Sequence, residues 1–105
     1  MTADEVVLAI REGRNLAEQN LSGLDLSKTD LRNAELAGAN LSECNLRGAD
    51  LRGANLSNAN LFKADLRGAR LRRANLTRAN RMLAKIRKWA LKGTYIAGPT
   101  AYTEE

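Results

Sequence analysis

Histidine is absent from the 105-residue chain, and cysteine, proline, tryptophan and phenylalanine occur once each. Without histidine the commonest general base and the commonest metal ligand are missing. Cys44 has no second cysteine for a disulfide or a CxxC pair and no imidazole to activate it as a nucleophile. No Ser-His-Asp set, cleft-type carboxylate pair or Gly-rich phosphate loop is present, so the sequence reads as a non-enzyme with no cofactor. Aromatic residues make up 4% of the chain, too few for an ordinary globular core, so many small, regular contacts must supply the stability of a single domain over residues 1–105. No run of about 18 apolar residues offers a membrane span. Residues 1–13 carry early acidic side chains and no apolar stretch, so they do not read as an export signal. With a lone cysteine, this points to a reducing cytoplasm.

What the chain has in place of aromatics is leucine. Leu16, Leu21, Leu26 and every fifth position onward to Leu76 is leucine, thirteen in all. Two residues before most of them sits a small side chain, among them Ala34, Ala39, Cys44, Ala49, Ala54 and Ala74, and one residue before sits Asn or Asp, as in Asn40, Asn45, Asp50, Asn55 and Asp65. A period of five suits neither a helix nor a flat strand; it fits a chain that turns a corner every five residues. The leucine and the small residue then point inward and the other three point out. Gly23, Gly38, Gly48, Gly53 and Gly68 all fall two residues after a leucine, a place for a turn needing positive φ. Ahead of the repeats, Thr2 and Glu5 are spaced as a capping box, Ala3, Val6, Val7 and Ile10 share a helical face, and Gly13 supplies a stop. After them, Arg81 stands where leucine is due, and Met82, Leu83, Ile86, Trp89 and Ala90 fall on one helical face with Arg81, Lys85, Lys88 and Lys92 on the other.

The run Ala49-Asp50-Leu51-Arg52-Gly53-Ala54-Asn55-Leu56-Ser57 resembles the pentapeptide repeat family, whose pattern is A-(D/N)-L-X-X. The resemblance covers residues 14–80. It implies an all-β solenoid, a right-handed quadrilateral β-helix of about three coils, with helical caps. The expected organisation is therefore an N-terminal cap helix over 1–13, the β-helix over 14–80, a C-terminal cap helix over 81–93 and a tail over 94–105. The tail, with Tyr95, Ile96, Pro99 and Tyr102, is apolar enough to pack down a face or pair with another subunit.

If four repeats make one coil, residues twenty apart stack. Asn20, Asn40, Asn60 and Asn80 then form one column and Asp25, Asn45 and Asp65 another. Such columns are either a polar or metal ladder or, more plainly, Asx side chains bonding their own turns. Arg32, Arg52 and Arg72 form a like-charged column that needs compensation; Asp30 and Asp50 supply it, but the next residue in that series is Arg70. Residues 1–65 hold 7 basic and 10 acidic residues, whereas residues 66–92 hold 10 basic and none acidic, which makes the molecule an electrostatic dipole. Phe62 stacks with Ser22 and Ser42, so its ring needs cover from the tail or from a partner.

The candidate interaction surface is accordingly Arg52, Arg67, Arg70, Arg72, Arg73, Arg78, Phe62 and Trp89, with no catalytic, cofactor or metal residue. The leading expectation is a non-catalytic scaffold or protein-interaction module. Nucleic acid or another polyanion bound by the basic C-terminal coil and helix is the alternative, and a solvated basic surface that aids solubility is the plainer account of the same charges. The resemblance also implies two family properties, homodimerisation through the C-terminal end and, more weakly because this end is basic, inhibition of DNA gyrase by DNA mimicry. A purely structural or engineered rod fits the near-consensus register as well.

Overall fold

The chain begins by satisfying its own helix ends. Thr2 Oγ1 accepts from the Glu5 N–H at 3.2 Å, and Glu5 Oε1 accepts from the Thr2 N–H at 2.8 Å. Helix α1 follows over Ala3–Arg11. It stops in a Schellman arrangement: Gly13 takes φ +74, its N–H reaches the Ile10 carbonyl, and the Arg14 N–H reaches the Ala9 carbonyl, both at 2.9 Å. Val6 and Ala9 are buried in the same apolar cluster as the leucines, with Val7 and Ile10 packed at its edge. This computed structural model describes residues 1–96 and the pair 101–102.

From Asn15 onward one unit is repeated. The leucine carbonyl accepts from the N–H three residues on, as from Ala54 to Leu51 at 3.0 Å, and the residue two after the leucine has positive φ, as at Gly48 (+67) and Gly53 (+72). These are the marks of a type II turn. Where no glycine is present the turn still forms: Glu18, Lys28, Asn33, Glu43, Asn58, Lys63, Arg73, Arg78 and Leu83 all take positive φ. Between turns the residue before each leucine pairs in parallel with the residue twenty further on, as in Asn20↔Asn40 and Asn40↔Asn60. A corner every five residues and a pairing every twenty give a four-sided coil.

The leucines from Leu16 to Leu76 are at most 5% exposed, and Ala39, Cys44, Ala49, Ala54, Ala59 and Ala64 beside them are buried too. Each buried leucine contributes roughly 2 kcal/mol of apolar transfer, so a column of them replaces the aromatic core that the composition lacks. The Cys44 thiol lies in this column and donates to the Leu21 carbonyl at 2.9 Å; burial pushes its pKa up. It is a small apolar filler, away from any reactive surface.

Two expectations about the C-terminal half need correction. Asn15, Glu35, Asn55, Asn75 and Tyr95 form one continuous parallel ladder of five levels, which is four coils rather than three. The residues expected to form a helix over 81–93 instead continue the coil. Arg81 occupies the leucine position and is 8% exposed, Ala84 and Ile86 are buried in the small and leucine positions, and Lys85 pairs with Asp65. The repeat of the coil below presents its ladder groups to these residues, and that template overrides their helical spacing. Only Lys88–Leu91 is helical, as a single 3-10 turn. Gly93, at φ +84, restores the register, and its carbonyl accepts from the Arg73 N–H at 2.8 Å. Strand β1 (Asn80–Arg81) then pairs in parallel with β2 (Ala101–Tyr102), so part of the expected tail extends the sheet. Whether the rest of the tail covers Phe62 lies outside the described residues.

Candidate functional site

The Asn or Asp before each leucine has a local task. Asn40 Oδ1 accepts from the Ser42 N–H at 3.0 Å and from its hydroxyl at 2.7 Å, and the same bond recurs at Asn20, Asn45, Asn60, Asn75 and Asn80. These side chains bond the turns that follow them, which is the plainer of the two readings of the columns. Where the residue is Asp and the turn begins with Arg, the bond becomes a fork. Asp50 accepts from the Arg52 N–H at 3.2 Å, from Nε at 2.8 Å and from Nη2 at 2.6 Å. Asp30 does the same for Arg32, and Asp65 for Arg67. The Arg32 guanidinium beside Asp30 lowers that carboxyl to about 2; Arg52 and Arg67 lower Asp50 and Asp65 in the same way.

The pattern breaks first at Arg70 and again at Lys85, which continues the Asp25–Asn45–Asp65 ladder. Arg70 continues the Asp30–Asp50 ladder, and an arginine cannot accept from the turn. Among the described residues Arg70, Arg72 and Lys92 make no ion pair. They border an open groove of about 510 Å³ between the third coil and the 3-10 turn, lined also by Arg52, Gly68, Ala69, Leu71, Ala90 and Trp89. Trp89 stands in the register of Ala49 and Ala69, but the 3-10 turn swings it outward and leaves it 70% exposed. A cationic groove with an exposed indole at its lip can hold anionic groups and give one flat apolar contact. A second hollow, of about 420 Å³, lies across Gly68 and carries Lys28, Arg47 and Arg67.

A family model described as pentapeptide repeats matches the chain in eight copies over residues 15–48 and 39–78. The chain belongs to the pentapeptide repeat family. Proteins of this family fold as right-handed quadrilateral β-helices. The pentapeptide repeat protein alr5209 of Nostoc PCC 7120 is 35% identical, over 91% of this chain and 96% of that one, with a TM-score of 0.72. A pentapeptide repeat protein of the Arabidopsis thaliana thylakoid lumen is 28% identical over 86% of this chain and 59% of its own, with a TM-score of 0.54. None of the curated proteins matches the sequence. Among the described residues no helix is long and apolar enough to cross a membrane.

On the pentapeptide repeat scaffold the expected interaction residues separate. The groove brings together Arg52, Arg70, Arg72 and Trp89. Arg73 lies at the same corner in a left-handed turn position, and Arg78 occupies the equivalent position one corner on. Arg67 faces the other hollow, forked to Asp65. Phe62 is half-buried on the corner opposite Arg72, with Lys63 Nζ 5.3 Å from its ring centroid, so a neighbouring cation gives it part of its cover. Lys92 is the groove residue that sequence reasoning missed. It falls twenty residues after Arg72, and the helix expected over 81–93 concealed that stacking.

Proposed function

We propose that the chain is a non-catalytic protein-interaction module whose working surface is the basic groove of its last coil. The observation that carries this reading is the loss of the Asp–Arg fork in the third coil, where Arg70 replaces the carboxylate that Asp30 and Asp50 provide below it. A packed column of leucine and alanine supports a binding role over a catalytic one. In situ cross-linking followed by affinity recovery, with an Arg70→Asp/Arg72→Asp chain beside the native one, tests it. A partner captured by the native chain and lost by the charge-reversed chain is the expected result; the same set of proteins on both would refute it.

A second reading, binding of a polyanion such as nucleic acid, is favoured by the ten cations without one carboxylate in residues 66–92. A gel shift at low salt distinguishes it. The DNA-mimic reading fits less well, because a mimic must present carboxylates where this coil presents guanidinium groups; a supercoiling assay decides it. Dimerisation through the C-terminal end is read by light scattering.

A further inference from the structure

Each side of this solenoid is closed by the coil above it through the same pair of main-chain bonds. Arg70, for example, gives its N–H to the Ala49 carbonyl at 2.9 Å and accepts the Leu51 N–H at 2.8 Å, while the Gly48 N–H goes to the Arg67 carbonyl at 3.0 Å. One level higher, the residue due to close the side is Ala90. Its N–H turns back instead to the Arg87 carbonyl at 2.9 Å, inside the 3-10 turn. Among the described residues, the Ala69 carbonyl, the Leu71 N–H and the Gly68 N–H are consequently left without hydrogen-bond partners. The Arg72 N–H joins them, because its counterparts in the coils below are bonded by Asp30 and Asp50 and position 70 holds no acceptor. All four groups belong to residues lining the groove with Arg52, Lys92 and Trp89. Gly68 and Arg72 are exposed, while Ala69 and Leu71 are only 4% and 2% exposed, so the unpaired groups form a narrow edge at the floor of the groove. A row of unpaired donors and acceptors on a sheet edge is a template for another strand.

We infer that this notch receives an extended, acidic segment of a partner protein, which pairs with the third coil at Arg70 as a fourth-coil strand does on the other sides. The inference rests on the protein-interaction reading above and gives the partner its chemistry. The segment's N–H bonds the Ala69 carbonyl and its C=O accepts the Leu71 N–H, repeating the Arg70 bonds one level up. An aspartate or glutamate side chain accepts from the Arg72 N–H and guanidinium, supplying the carboxylate that the sequence omits at position 70. Alternate side chains point to opposite faces of a strand, so an acidic residue followed two positions on by another faces the cations, and an apolar residue between them meets Trp89. A phosphate backbone offers acceptors alone and leaves the Ala69 carbonyl without a donor, which favours a peptide over nucleic acid.

Trp89 is the only tryptophan in the chain, so its emission reports occupancy. The test is a titration of the full chain with a tryptophan-free peptide of alternating Asp and Val, beside the same peptide N-methylated at alternate amides and an oligo-dT of equal charge. The expected result is saturable binding that weakens with salt. Losing a pairing N–H weakens it about tenfold in the methylated peptide, and oligo-dT binds at least about tenfold more weakly. Arg70→Asp abolishes binding, because the new carboxylate occupies the Arg72 fork internally; Lys92→Glu, across the groove, weakens it independently should the first variant fold poorly. No binding of the peptide, indifference to N-methylation or an unaltered affinity in the folded Arg70→Asp chain overturns the inference. If a cross-linked protein partner then maps to another face, the chain remains a protein-interaction module, but neither the notch nor the groove is its working surface. If oligo-dT binds as tightly as the peptide, the notch inference falls, and the absence of any cross-linked protein would take the interaction reading with it.

Discussion

At the scale of single residues, the inward and the turn positions carry opposite demands. Leu51 is fully buried between coils, so Leu51→Ala leaves a cavity that an alanine-lined column cannot collapse to fill. The expected loss is about 2–5 kcal/mol, read from the shift in urea midpoint. Glu43 is exposed and holds φ +59. Left-handed backbone costs a side-chain-bearing residue about 1–2 kcal/mol, against about 0.5–1 kcal/mol of extra unfolded-state entropy for glycine. Glu43→Gly should therefore stabilise by about 0.5–1 kcal/mol in the same measurement. The reverse change at Gly53 should destabilise by more than this, since a Cβ there would press on Asn33 Oδ1 as well as meet φ +72. The inward leucines were legible because burial repeats without exception. The left-handed turns at Glu18, Lys28 or Arg73 were not, because nothing local to those side chains favours positive φ; the stacked coils impose it.

At the scale of elements, the last coil shows where local pattern and tertiary template part. Met82, Leu83, Ile86, Trp89 and Ala90 have helical spacing, yet Ala84, Ile86 and Leu91 also sit in the five-residue register, and the ladder bonds offered by coil three settle the contest for most of them. What survives of the helix is the turn Lys88–Leu91, on the side where the ladder opens. Of the candidate groove, the cations at 52, 70 and 72 were readable by counting in twenties, whereas the open main-chain edge was not, because it arises from a backbone departure that no side chain announces. Hydrogen exchange gives the check: the amides of Gly68 and Leu71 should exchange well before those of Gly48 and Leu51, which occupy the same positions one coil down with their ladder bonds intact. Equal protection at the two levels would contradict the open edge.

For the molecule as a whole, an elongated body of about 33 × 21 × 20 Å, the acidic partners of the arginine columns set the response to pH. Asp30, at about 2, and Asp25, Asp50 and Asp65 are all more acidic in the folded chain than ordinary carboxylates. The Ser27 hydroxyl is the main cause at Asp25, and an arginine fork is the main cause at the other three. A carboxyl with a depressed folded pKa adds stability that is complete above its unfolded value and fades as pH falls through the folded one. Urea midpoints should hold steady down to about pH 5 and decline from there towards about pH 2. Asp50→Asn should flatten that decline. These groups lie at the surface, so each contribution is small and added salt should reduce it.

The pairing of residues twenty apart, with a corner at every fifth, has a consequence for how such a molecule changes. Insertion of twenty residues adds a storey and leaves every neighbour relation above and below it intact. Insertion of five residues preserves the core equally well, but rotates everything above it by a quarter turn. The groove beside Trp89 would then look out on a different compass point from α1, with no inward leucine disturbed. In this architecture the direction in which a surface faces is set by the length of the chain beneath it, and can be re-aimed without redesigning the surface itself.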